Sequence, residues 1–224
     1  MKKINLPTKI TIARIVMATL LILAMIVFYL IDQFNTGFIR QANIYLTGDY
    51  SVYINGYMLG FFGLFILASF SDFLDGYLAR KNNEVTDLGK FLDPLADKML
   101  INALMIFLAI NFMSLGDSVK FPFFCVIIMT IRDLIVDGMR LMAAKKQIVV
   151  AANIYGKIKT VTQMLAIAVV LLNGFPFAFF DNSWPAYLHV SDLLCYIATF
   201  FSVLSGVIYL KQNIGYVLGG KENE

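Results

Sequence analysis

Six of the chain's fifteen acidic residues fall between Asp72 and Asp97. Four of them have helical spacing: Asp72 and Asp75 are three apart, Asp93 and Asp97 four apart. Each pair therefore shares one helix face. Carboxylates gathered in apolar surroundings repel one another unless cations neutralise them. Hard oxygen ligands suit Mg2+, Mn2+ or Ca2+. Two divalent metals held by aspartates are one solution to displacement at phosphorus. They neutralise phosphate charge, activate the attacking oxygen and stabilise the leaving one. A carboxylate outside tight ligation can serve as the base. Arg80, five residues after Asp75, is positioned to pair with a phosphate. Gly76 and Gly89 remove side chains where a ligand or a helix approaches closely. The plainer alternative is that these acids pair with Arg80, Lys81, Lys90 and Lys98 on a solvated face. The whole string, D-x2-D-G-x2-A-R-x8-G-x3-D-x3-D, speaks against it, because charge pairing on a wet surface requires no such fixed pattern.

A second charged group lies about sixty positions after the first aspartates. Arg132, Asp133, Asp137 and Arg140 interrupt an otherwise apolar helical run. Asp133, Asp137 and Arg140 fall on one stripe, with Arg132 beside it. Gly156-Lys157-Ile158-Lys159-Thr160 opens the next apolar run. Four cations near one metal cleft, Arg132, Arg140, Lys157 and Lys159, would suit an acceptor that itself carries a phosphate. The alternative is a structural ion pair of Arg132 with Asp133 or Asp137, with Lys157 and Lys159 facing lipid phosphates.

The elements that must position these residues are apolar. The chain has 224 residues, 59% of them hydrophobic, and a mean hydropathy of +0.75. That composition predicts an all-α integral membrane protein, with one domain over residues 1–224. Six spans are expected, at about Ile12–Ile31, Asn55–Arg80, Asp93–Met113, Phe121–Ala144, Ala151–Leu172 and Leu188–Leu210. Residues 5–14 predict a short amphipathic helix before the first span, with Lys9 and Arg14 among lipid head groups. No small-residue cleavage site follows the first apolar run, so it reads as a retained span. Residues 33–54 predict a polar outside loop, and residues 173–187 an interfacial loop anchored by Trp184. The tail after Leu210 reads as short and polar.

The charges test this layout. Of eighteen Lys and Arg, only Arg40 and Lys120 fall in the loops after the first and third spans, and none in the loop after the fifth. The other sixteen lie at the remaining loops, the adjoining helix ends and the termini. That is a positive-inside pattern with an even number of spans and both termini cytoplasmic. It puts the two aspartate pairs on the cytoplasmic side, at the end of one helix and the start of the next, joined by a connection over 81–92. The pairs can then face each other across one polar, cytoplasm-facing cavity. The mild net charge of +3, with no basic stripe interleaved with aromatics, does not suggest nucleic acid. The single histidine, His189, excludes mechanisms that need paired histidines. Cys125 and Cys195 lie in apolar runs and read as buried free thiols.

The aspartate string matches the signature of the CDP-alcohol phosphatidyltransferase family, and the chain resembles that family over most of residues 5–160. The matching passages are Asn5-Leu6-Pro7 with Thr11 and Arg14, then Ser71 through Lys98, then Arg132 to Arg140, and Gly156 to Thr160. The resemblance implies transfer of a phosphatidyl group from CDP-diacylglycerol to an alcohol, with release of CMP. It implies six membrane helices, two divalent cations (Mg2+ or Mn2+) and a homodimer in a bacterial plasma membrane. It implies that Asp72, Asp75, Asp93 and Asp97 hold the metals, with Asp97 as the base. Asp72, Gly76, Ala79, Arg80 and Gly89 would line the CDP site. Within the family, the likeness is to the branch whose acceptor is sn-glycerol 3-phosphate, with Arg132, Arg140, Lys157 and Lys159 on the acceptor phosphate. Three positions depart from the branch pattern: Asp133 stands where Glu is usual, Asp137 where Thr is, and Thr8 where Asn is. Rival acceptors are inositol phosphate, in a phosphatidylinositol-phosphate synthase, and phosphatidylglycerol, in a cardiolipin synthase. A divalent-cation transporter is the rival from another class. It would distribute its acids through the membrane depth, whereas these cluster at one face.

Overall fold

The computed structural model describes residues 6–48, 51–81, 87–112, 115, 118–145, 154–181, 183–185 and 187–217. Within its helices, the side chains at 6–8, 36, 72–81, 87–91, 93–95, 97, 144–145 and 214–217 lie outside the description. The chain runs α1 (Leu6–Phe34), α2 (Thr36–Arg40), β1 (Asn43–Tyr45), β2 (Tyr53–Asn55), α3 (Gly56–Lys81), α4 (Asp87–Leu108), α5 (Phe123–Lys145), α6 (Ile154–Leu171), α7 (Ala178–Asp181) and α8 (Val190–Val217).

Six of these helices have eighteen or more residues, one for each expected span. Among the described residues, three stretches are long and apolar enough to cross a membrane: Lys9–Phe34, Ile154–Leu171 and Val190–Asn213. Among the described residues, α3 and α4 have shorter apolar stretches, Gly56–Ser71 and Lys98–Leu108, and the aspartate string lies beyond them. In α5 the interruption is internal, at Arg132, Asp133, Asp137 and Arg140.

Packing divides the long helices into two groups. Helix α1 lies against α3 and α4, while α8 lies against α5 and α6. Contacts of α4 with α6 and α5, and of α3 with α6, join the groups. Phe28, Phe61, Phe107 and Phe112 fasten α1, α3 and the end of α4 with edge-to-face rings at 5.4–5.8 Å and one tilted pair, Phe107 and Phe112, at 5.0 Å. Helix α6 buries Lys159, Gln163, Ala166, Ile167, Val170 and Leu171, a single helical stripe that is polar at one end and apolar at the other. Large apolar side chains point outward instead, including Val16, Leu20, Phe123, Ile131, Leu134 and Leu141. An apolar exterior around a partly polar interior is what lipid as solvent permits.

Several sequence expectations need correction. The short amphipathic helix before the first span does not exist as a separate element, because α1 is continuous from Leu6. Pro7 stands in its first turn, where its missing N–H costs nothing, and no Gly or Pro follows until the helix ends. Arg14 does not sit among head groups; it is 1% exposed, inside the protein beside buried Thr11. The loop over 33–54 contains helix α2 and an antiparallel ribbon pairing Asn43 with Asn55 and Tyr45 with Tyr53. Asn55 ties it together, donating to Ile39 O at 3.0 Å and Asn43 Oδ1 at 2.7 Å. Helix α4 starts six residues before Asp93 and runs through Pro94, which removes one backbone donor without ending the helix. The connection expected over 81–92 thereby shrinks to 82–86, outside the described residues. Helix α8 continues to Val217, past the expected end at Leu210.

At the opposite end from the aspartates, Asn173 closes the turn after α6. Its side chain accepts from Val119 N at 2.8 Å and donates to Tyr53 O at 3.0 Å. Buried Asp181 accepts from Val190 N at 2.7 Å, satisfying a donor at the first turn of α8. Trp184 is exposed, as an interfacial anchor would be, and both cysteines are buried and free.

Candidate active site

A cavity of about 250 Å3 opens at the helix ends that carry the aspartate string. Helix α4 contributes Lys98 and Asn102, one turn apart and directly after Asp97. Helix α5 contributes Arg132, Asp133, Val136, Asp137 and Arg140, which follow the i, i+4 stripe read from the sequence. Helix α6 contributes Gly156, Lys157, Lys159, Thr160 and Gln163, and α8 contributes Ser205 and Tyr209. All four cations expected at the acceptor phosphate therefore reach one cavity.

The wall is basic. Among the described lining residues, Lys98, Arg132, Arg140, Lys157 and Lys159 face Asp133 and Asp137, a surplus of three positive charges. Such a surplus inside an apolar body draws an anion, because the alternative is uncompensated charge in a medium of low dielectric. A phosphate ester is the anion best matched to Arg and Lys donors.

The cations are not equivalent. Lys159 donates to both oxygens of Asp133, at 3.0 and 2.7 Å, and Arg132 donates to Asp133 Oδ1 at 2.8 Å. The rest of the Arg132 guanidinium spans to α8, where Nε donates to Ser202 O at 3.0 Å and Nη2 to Ser205 Oγ at 2.6 Å. Arg132 is thus a clamp between α5 and α8, and its pairing with Asp133 is the structural ion pair considered as the alternative reading. Arg140 and Lys157 are exposed at the cavity, with the Arg140 guanidinium 5.5 Å from the centre of the Tyr209 ring. Asp137 pairs with Lys98.

The aspartate string itself is placed by backbone. Asp72, Asp75, Gly76, Ala79 and Arg80 lie in the last third of α3. Gly89, Asp93 and Asp97 lie in the first half of α4, which contacts α3. Their side chains are outside the described residues. The donor set fits hard divalent cations by its chemistry, four carboxylates on two neighbouring helices.

Residues 4–204 match the family model described as CDP-alcohol phosphatidyltransferase. The chain belongs to this family. CDP-alcohol phosphatidyltransferases are integral membrane proteins that depend on divalent cations, in keeping with the three membrane-length apolar helices. Relatives named CDP-diacylglycerol–glycerol-3-phosphate 3-phosphatidyltransferase align over nearly the whole chain. The Bacillus subtilis protein is 40% identical over 212 residues, 93% of this chain and 95% of its own length. The Mycoplasma pneumoniae protein is 37% identical, covering 93% of this chain and 87% of its own length. The Rickettsia felis protein is 34% identical, covering 92% and 94%.

In this CDP-alcohol phosphatidyltransferase, sequence reasoning missed the contribution of α8. Ser202, Ser205, Gly206 and Tyr209 fall at i, i+3, i+4 and i+7, one helix face turned to the cavity and to Arg132. The spacing was there to be read. Small polar residues in an apolar helix carry no chemical signature, however, until Arg132 is found lying across them.

Proposed function

We propose that this protein transfers the phosphatidyl group of CDP-diacylglycerol to sn-glycerol 3-phosphate, giving phosphatidylglycerophosphate and CMP. The observation that carries this reading is the surplus of three positive charges around a small cavity that begins one residue after Asp97. The names of the relatives support the same acceptor. A cavity of about 250 Å3 suits a small phosphorylated acceptor rather than a second two-chain lipid.

Asp72, Asp75, Asp93 and Asp97 would hold two Mg2+ or Mn2+ ions, which when bound supply charge neutralisation at the pyrophosphate and at departing CMP. Asp72, Gly76, Ala79, Arg80 and Gly89 form the CDP site, with the acyl chains remaining in the bilayer. Arg140 and Lys157 take the acceptor phosphate, and Arg132 and Lys159, held by Asp133, supply the positive wall behind it. Asp97 accepts the proton of the acceptor's primary hydroxyl. That oxygen forms a bond to the phosphorus bearing diacylglycerol, and the bond from this phosphorus to the CMP oxygen breaks. The chain works as one domain with six spans, as a homodimer in a bacterial plasma membrane, with termini and site cytoplasmic.

The test is CMP release from CDP-diacylglycerol by the purified protein, with sn-glycerol 3-phosphate, inositol 3-phosphate, serine and phosphatidylglycerol offered in turn. Glycerol 3-phosphate should be the productive acceptor; preference for another overturns the assignment. Asp97→Asn should lower turnover about a hundredfold or more while the protein keeps its wild-type elution in size-exclusion chromatography. Near-wild-type turnover would remove Asp97 as the base.

A further inference from the structure

The basic wall explains how a phosphate is held, but not how an alcohol is chosen. Lys and Arg have donors and no acceptor, so none of the five lining cations can receive a hydrogen bond from an acceptor hydroxyl. An oxygen must do that, and most oxygens of the wall are already committed. Asp133 uses both of its oxygens on Lys159 and one again on Arg132. Ser205 Oγ receives from Arg132 and donates to Ser202 O; Thr160 Oγ1 donates to Gly156 O and keeps its lone pairs, but a neutral hydroxyl is a weaker acceptor than a carboxylate. The side-chain oxygens of Asn102 and Tyr209 are sealed from water, so a solute does not reach them without rearrangement.

Asp137 differs on each count. Its side chain is 29% exposed, against 10% for Asp133, and among the described residues its one ionic partner is Lys98, at Oδ2. A carboxylate offers about four lone-pair sites, so one ammonium leaves capacity on the cavity side. Lys98 pairs with Asp137 and orients it, and Lys98 directly follows Asp97 on α4. An ionised oxygen in a basic cavity is otherwise a liability for binding an anion. It becomes an asset when the anion also carries a hydroxyl, because a charged acceptor makes the stronger hydrogen bond.

We infer that Asp137 accepts a hydrogen bond from the acceptor's secondary hydroxyl and thereby selects a phosphorylated polyol over a phosphorylated simple alcohol. This rests on the proposed glycerol 3-phosphate reading. It gives the two acids of the cavity separate tasks: Asp133 locks Arg132 and Lys159, while Asp137 reads the hydroxyl.

The experiment compares sn-glycerol 3-phosphate with 3-hydroxypropyl phosphate, which has the same phosphate and a primary hydroxyl but no secondary one. CMP release is measured for the full-length protein and for Asp137→Ala and Asp137→Asn. Wild type should prefer glycerol 3-phosphate in kcat/KM by about tenfold or more, the scale of one hydrogen bond to a charged group. Asp137→Ala should bring the ratio close to one, mainly by losing glycerol 3-phosphate. Asp137→Asn keeps an oxygen of the same reach but loses the ion pair with Lys98, and its ratio should fall in between. A purely structural role would depress both acceptors together and leave the ratio unchanged. Ratios equal to wild type in whichever variants fold overturn the inference, as does a wild-type ratio near one. A wild-type protein that turns over neither acceptor overturns the acceptor reading itself, and the inference falls with it.

Discussion

Asp133 lies between Lys159 and Arg132 with both oxygens occupied and about a tenth of its side chain exposed. Buried ion pairs add little net stability when complete, yet breaking one leaves a charge stranded. Asp133→Asn should therefore cost about 3 kcal/mol, read as a fall in Tm of several degrees in detergent. An unchanged Tm would mean that water already screens the triad. Lys157 is different, because it is exposed at the cavity and takes no part in that triad. Lys157→Ala should raise the KM for glycerol 3-phosphate by about tenfold, the scale of one charge-assisted contact, and leave the KM for CDP-diacylglycerol in place. Equal rises in both constants would place Lys157 on the donor lipid or in the fold. The aspartates stand out in the sequence at this scale because their types and spacing are chemical in themselves, and their role remains as proposed. The partition of the four cations was not, since Arg132 and Arg140 look alike until Ser202, Ser205 and Asp133 are seen around one of them.

Helix α8 owes its place beside α5 to an absence. A Cβ built on Gly206 would meet Arg132 Cγ at 2.9 Å and Nε at 3.2 Å. Arg132 cannot simply swing aside, because its guanidinium is bonded to Ser202, Ser205 and Asp133. Gly206→Ala should therefore act as overpacking, costing about 1–3 kcal/mol. It should also loosen the α5–α8 clamp, so thermal stability and the glycerol 3-phosphate KM should worsen together. A variant with wild-type Tm and KM would show that Arg132 has room the present packing does not reveal. Helix positions were legible from apolar length, as α5 and α6 show. Ends were less so: α4 was expected from Asp93, yet it begins at Asp87 and runs through Pro94. The β1–β2 ribbon was also missed, although Ile44 and Ile54 and Tyr45 and Tyr53 pair across it. Its strands have three residues each, too short for alternation to stand out.

Across the whole molecule, the cavity and the aspartate string share one end, and the Asn173 and Asp181 turns occupy the other. The proposed topology, read from the Lys and Arg distribution, turns the first end to the cytoplasm. Cysteine labelling can check this with little background, because Cys125 and Cys195 are fully buried. In intact cells, Tyr187→Cys should react with an impermeant maleimide, whereas Lys211→Cys should react only after the membrane is opened. The reverse pattern would invert the topology and remove the site from cytosolic glycerol 3-phosphate.

Apolar runs of spanning length, an alternating charge bias and the aspartate string are properties of order along the chain. They determine a helical membrane protein and its family, and they frame the proposal for its four carboxylates, without any folded coordinates. Which cation binds a ligand and which binds a neighbour depends on residues far apart in the chain. Ser202 and Ser205 lie some seventy positions beyond Arg132, and Lys98 some forty before Asp137. Only the packing of α4, α5, α6 and α8 around one cavity brings these partners within hydrogen-bonding distance. That packing made Arg132 a clamp and Asp133 its anchor, and it left Asp137 as the carboxylate able to meet a substrate.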